Sequence, residues 1–197
     1  MGDWIVKKAW WILGWVMVWA GAALAQEGHF EPRINTRFPL QLAEFEFRGV
    51  REYDEPGLGV SLAYQHPDGV TATLYIYNLG LAAIPDGAAS PAVRQAFENS
   101  HQELLSMAQM GQYENIEVLG KDKIIPVREK PPLTARLAGY EYNVAAMPEV
   151  GRVQSSLVLW GYRNQFIKAR ISYAKDNAAA GQERTVQFIA ALGDLMK

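Results

Sequence analysis

The sequence predicts an α+β fold: an antiparallel sheet of about six to seven strands with two amphipathic helices packed on it. Three observations predict it. Apolar residues recur at every second position in several segments divided by Pro, Gly and Asp turns, the signature of half-buried strands. Two longer segments, 91–110 and 178–196, change to helical spacing. The links between strand segments are hairpin-length, which allows only antiparallel neighbours, and amphipathic helices must bury their stripes against that sheet.

The chain begins with an apolar leader. Lys7 and Lys8 precede 17 uncharged, mostly apolar residues that end in Ala-Leu-Ala at 23–25. A positive start, an apolar centre and a small-x-small end are the parts of a secretory signal peptide, so cleavage is expected between Ala25 and Gln26. As a helix, 17 residues rise only about 25 Å, short of the ~30 Å core of a bilayer. Trp4, Trp10, Trp11, Trp15 and Trp19 favour a membrane interface, so an uncleaved leader would be the chain's one membrane contact. No cysteine exists to carry a lipid, and none can form a disulfide. The fold must therefore hold by packing alone.

Removing residues 1–25 takes Asp3 and the two lysines with it and leaves 172 residues with a formal charge of about −3. That length fits one domain. Mild acidity without a basic run excludes nucleic acid as a partner, because phosphate binding needs a concentrated positive field. The organisation expected is a signal peptide at 1–25, a mobile lead-in at 26–37 and one α+β domain at 38–197, periplasmic or secreted.

The elements follow in order. In 45–53, Phe45, Phe47, Gly49 and Tyr53 alternate with Glu46, Arg48 and Glu52, and a turn cluster follows at 54–57. In 58–66, Leu58, Val60, Leu62 and Tyr64 point inward, and Pro67-Asp-Gly69 makes the next tight turn. In 70–78, Val70, Ala72, Leu74 and Ile76 face one way while Thr71, Thr73, Tyr75 and Tyr77 face the other. An irregular stretch, 79–89, leads to Ser90-Pro91, an N-cap with proline in the first turn, and Gly111 is placed to end that helix. Strand character returns in 116–127, 135–146, 153–162 and 165–173. Asn177 is placed to cap the second helix, whose Val186, Ile189, Ala190 and Gly193 form the expected stripe, with Gly181 and Gly193 weakening it.

Three strands, a helix, about four strands and a helix, over some 160 residues, resemble the PsbP-like fold, named for an extrinsic subunit of photosystem II and found in many bacterial exported proteins. The resemblance covers most of residues 38–197, is architectural and assigns no functional residue. It implies an accessory, assembly or binding role rather than catalysis.

The residues themselves carry no catalytic signature. A hydrolytic triad needs a nucleophile activated by histidine, yet only His29, His66 and His101 exist and no Gly-x-Ser-x-Gly elbow occurs. His29 falls in the lead-in, His66 at a turn, and His101 on a helix beside the polar row Arg94, Glu98 and Gln102, so all three read as surface residues. The carboxylate pairs Glu44 with Glu46 and Asp54 with Glu55 read as solvated charges. No metal-ligand spacing or phosphate loop is present, so no metal or cofactor is assigned.

What remains is a surface. With each strand's apolar side turned to the core, Arg48, Thr71, Thr73, Tyr75, Tyr77, Glu141, Lys168 and Arg170 share the opposite face of the sheet. Tyrosine and arginine combine large area with a polar handle, as contact surfaces do. The expected role is an exported, non-catalytic accessory or binding protein, with Arg48, Tyr75, Tyr77, Lys168 and Arg170, or the 79–89 loop, against an envelope protein or a small ligand. A small-molecule carrier with a pocket between helix and sheet, and an enzyme without a recognisable motif, are the alternatives.

Overall fold

The structure, a computed structural model, describes residues 28–197. The leader, its expected cleavage site and the first two residues of the lead-in lie outside the described residues. Among the described residues no helix is long and apolar enough to cross a membrane.

The described chain forms ten strands and two helices: β1 (His29–Glu31), β2 (Thr36–Phe38), β3 (Gln41–Leu42), β4 (Phe45–Glu52), β5 (Val60–Gln65), β6 (Thr71–Tyr77), α1 (Pro91–Gln109), β7 (Tyr113–Arg128), β8 (Leu133–Val144), β9 (Arg152–Tyr162), β10 (Gln165–Ala174) and α2 (Ala178–Leu195). Eight strands make one antiparallel sheet in the order β3-β4-β5-β6-β10-β9-β8-β7, and β1 pairs with β2 apart from it. The α+β class stands, but the strands outnumber the six to seven expected. The excess lies at the front of the chain, where 26–37 was expected to be a mobile lead-in. The described part of it turns back as the β1–β2 hairpin, because Ile34 at its tip is wholly buried and Glu31 is held by Arg33 and His29. Segments of two or three residues are too short to show a period.

The sheet separates two cores. Val60, Leu62, Tyr64, Ala72, Leu74, Ile76, Trp160, Ile167 and Ile171 project to one side, where Phe188, Ile189 and Leu192 of α2 meet them. Tyr140, Tyr142, Leu157, Leu159 and Phe166 project to the other, under Val93, Ala96, Phe97 and Leu104 of α1. The two helices therefore lie on opposite faces.

Capping explains why α1 starts where it does. The Ser90 hydroxyl accepts from the Val93 amide at 3.2 Å, and Pro91 has no amide hydrogen to leave unpaired. Gly111 follows the last turn with φ of +69°, a left-handed close that glycine adopts freely. The start of α2 differs from expectation: the Asn177 side chain leaves the helix uncapped and donates to the Asp68 carbonyl at 2.8 Å, tying α2 to the β5–β6 turn. Its buried stripe is Gly181, Phe188, Ile189, Leu192 and Gly193, so Ile189 and Gly193 of the expected stripe stand, whereas Ala190 is exposed and Val186 is 69% exposed. The helical row through Phe188 carries the larger apolar groups and takes the core. Gly181 and Gly193 have a use there: a Cβ at Gly181 would strike the Tyr173 ring, and one at Gly193 would strike the Val127 carbonyl.

Candidate functional site

Cross-strand registry decides which expected contact residues meet. Tyr75 lies opposite Lys168, Thr73 opposite Arg170 and Thr71 opposite Ser172, and directly paired residues share a face. Tyr75, Tyr77, Lys168 and Arg170 thus project to one side as expected. That side is not a bare solvent face, because α1 covers its β8–β10 half. Glu141 is not among them: it pairs with Gln154 and lies on the α2 side, where Arg152, Lys175 and Gln154 bond its carboxylate. These bonds hold its carboxyl well below the usual range, at about 2, led by the hydrogen bonds from Gln154 and Lys175.

Arg48 is separated from the others by a bulge. The β4–β5 register shifts between Phe47 and Gly49, so Arg48 is the extra residue, and its guanidinium closes on Glu46 at 2.8 Å with both side chains about half exposed. The bulge also reverses the phase of β4. Val50 rather than Gly49 then faces the α2 core, and Tyr53, expected inward with Phe45, moves to the α1 side, where its hydroxyl donates to Ser61 at 3.2 Å.

This displacement helps to build a cleft between α1 and the sheet. Tyr53, Tyr75 and Tyr77 wall it with Leu58 and Leu79, Ala96, Asn99, Ser100 and Glu103 come from α1, and Lys168 is its floor. Its volume is ≈ 60 Å³, room for about four water-sized groups, and it opens to solvent on one side. Leu79 and Leu81, 50% and 43% exposed, stand at the start of the 79–89 loop. The far end of that loop is pinned: the Ile84 amide donates to Asn164 at 2.7 Å, the Arg163 amide donates to Asp86 at 2.7 Å, and Gly87 bridges Gly161.

Lys168 is the unusual group. Only 6% exposed, its ammonium lies 4.8 Å from the centre of the Tyr75 ring and 5.5 Å from that of Tyr77, with the Glu103 carboxylate at 3.8 Å. Burial pushes its pKa down, and Glu103 opposes that. Arg170, two residues along the same face, bonds only hydroxyls: Nη2 donates to Tyr142 at 3.2 Å and to Ser155 at 3.1 Å, and Nε donates to Ser155 at 3.3 Å. Burial alone would lower its pKa, but the tyrosines around it outweigh that and hold the guanidinium above its ordinary value. Tyr113 stacks on Tyr142 with ring centres 4.1 Å apart, and burial pushes both Tyr75 and Tyr113 up to about 12. The Tyr75 hydroxyl on the cleft wall therefore stays protonated at neutral pH.

Two of the three histidines depart from the surface reading. His101 is 4% exposed, lies over the sheet at helical spacing from Phe97 and Leu104, and shares a 2.7 Å hydrogen bond between Nδ1 and the Tyr140 hydroxyl. Burial lowers its pKa. The spacing 97, 101, 104 was the available signal, and the neighbouring polar row 94, 98, 102 obscured it. His66 is equally buried, edge-on to Phe45, its Nδ1 accepting from the Asp68 amide at 3.0 Å. Glu44 lies outside β4, in a turn with φ of +66° beside His66 and Arg184, so it does not share a strand face with Glu46. Among the described residues no group of three or more His, Asp or Glu side chains is placed to hold a metal ion.

A scan against protein-family models finds no match to this chain, and a search of curated proteins finds no relative.

Proposed function

We propose that this protein is an exported, non-catalytic binding protein of the cell envelope whose contact surface is the α1–sheet cleft and the strip of sheet beside it. The observation that carries the reading is the floor of the cleft, where a buried ammonium opens into a tyrosine-walled recess bordered by exposed leucines. Aromatic walls give contact area at low conformational cost, and a fixed charge gives selectivity. The strip beside the cleft, from Thr73 and Thr71 across to Arg48, extends the surface with polar groups suited to a rim. The leader read from the sequence and the PsbP-like resemblance point the same way. The small-molecule carrier becomes a variant of this reading, since a recess of this size takes a ligand's head rather than its whole body.

The test alters the border and leaves the core alone. Leu79→Glu with Leu81→Glu changes two exposed side chains, a class of substitution that costs within about 0.5 kcal/mol of stability. Affinity recovery from the native envelope, read by mass spectrometry, should return a bound component with the unaltered protein and lose it with the double variant. Equal recovery from both would refute this surface.

A further inference from the structure

Lys168 has three N–H donors, and its Nζ, set over the Tyr75 and Tyr77 rings, has the Glu103 carboxylate as its ion-pair partner at 3.8 Å, longer than an ordinary hydrogen bond. An ammonium so loosely paired gains from a closer acceptor, and the cleft that Lys168 lines is where one can enter. The local charge balance also favours an anion. Lys168 and Arg170 face a single carboxylate, Glu103, which is itself 46% exposed and so screened by water, while Arg170 is bonded only by hydroxyls. The Tyr75 and Tyr77 rings over the ammonium stay neutral at neutral pH and so add no negative charge.

Size narrows the class. A volume of ≈ 60 Å³ admits about four heavy atoms, which is the carbon and two oxygens of a carboxylate and one methylene. A phosphate ester carries more oxygens and more charge than one ammonium already facing Glu103 satisfies. Besides Lys168 and Glu103 the cleft is lined by Leu58, Leu79 and the Tyr53 ring, so the part of the ligand away from the ammonium is hydrocarbon. We propose that the cleft binds a small monocarboxylic acid with an apolar body, its carboxylate accepting from Lys168 and its hydrocarbon lying along Leu58 and Leu79. This deepens the binding-protein reading and rests on it.

Hexanoate, hexanamide and hexylamine serve as probes of the protein recovered after export, followed by ¹⁵N–¹H spectra. Hexanoate should shift the backbone amides of Tyr75, Glu103 and Lys168 saturably, with Kd on the order of 1 mM, as ligand efficiency allows for so small a molecule. Hexanamide should bind at least about tenfold more weakly, and hexylamine should leave these amides unmoved. Lys168→Met should lower hexanoate affinity at least about tenfold. Because Lys168 is buried, Glu103→Gln is the second variant: its side chain is about half exposed, and removing the one local carboxylate should tighten hexanoate about threefold, a gain that loss of a merely structural contact would not produce. Hexanamide binding as well as hexanoate, weaker binding by Glu103→Gln, or no saturation by about 50 mM would each overturn the carboxylate assignment. If hexanoate fails while the Leu79/Leu81 variant still loses the recovered component, the ligand class falls and the contact surface stands.

Discussion

Gly193→Ala separates a helix-propensity account of α2 from a packing account, because the two predict opposite signs. Alanine is the better helix former by about 0.8–1 kcal/mol, so propensity alone predicts a more stable protein. The packing predicts a less stable one. A Cβ on residue 193 would fall within the van der Waals envelope of the Val127 carbonyl oxygen, 2.8 Å from the carbonyl carbon and 3.1 Å from Cγ1. The obstructing atoms belong to backbone, so no side-chain rotation relieves them and α2 must move off β7. That movement loosens Phe188, Ile189 and Leu192, all at most 4% exposed, in the larger of the two cores. Overpacking of this kind costs about 1–3 kcal/mol, more than the propensity gain. For a chain of this length the net loss, up to about 2 kcal/mol, corresponds to a fall in Tm of up to roughly 8 °C. Urea unfolding followed by fluorescence measures it, since Trp160 is wholly buried beneath α2 and is the only tryptophan outside the leader. An unchanged or raised midpoint for Gly193→Ala would refute the close-approach argument.

Two further outcomes follow from buried polar groups. Glu141 ionises at about 2 in the fold against an ordinary 4.5, so its contribution is complete above about pH 4.5 and is lost as pH falls toward 2. Its partners Lys175 and Arg152 are 53% and 25% exposed, so solvent screening reduces the contribution to about 1–2 kcal/mol. Thermal melts of the native protein and Glu141→Gln should converge between pH 4.5 and 2, and a pH-independent gap would contradict the network. Tyr140→Phe should cost about 1–3 kcal/mol in urea titrations by leaving the buried His101 Nδ1 without its partner, and an unchanged midpoint would mean that this hydrogen bond adds nothing.

Most of the element order was legible because long segments declare their period. The helix expected over 91–110 is Pro91–Gln109, and the strands expected over 153–162 and 165–173 are Arg152–Tyr162 and Gln165–Ala174. Short strands have no period to declare, so β1, β2 and β3 went unread. Phase was the second blind spot. A one-residue bulge at Arg48 leaves the alternating pattern plausible on both sides of it while sending Tyr53 to the other face. The site was half legible for the same reason. Alternation placed Tyr75, Tyr77, Lys168 and Arg170 together, but it is silent on which side each helix takes. Glu103 and Tyr53, which complete the cleft, depend on that choice and on the bulge. Lys168 has no sequence mark of burial, since a lysine between apolar residues reads as the solvated position of a strand.

The division of the apolar residues by the sheet has a consequence for how this protein responds to substitution. Gly193 and the Trp160 core lie under α2, whereas Leu79, Tyr75 and Lys168 lie on the α1 side, with a strand layer between. Free-energy changes at distant sites without shared partners add almost independently. Substitutions around the cleft and substitutions beneath α2 should therefore shift stability almost additively, so either side of the sheet can be altered with little correction from the other.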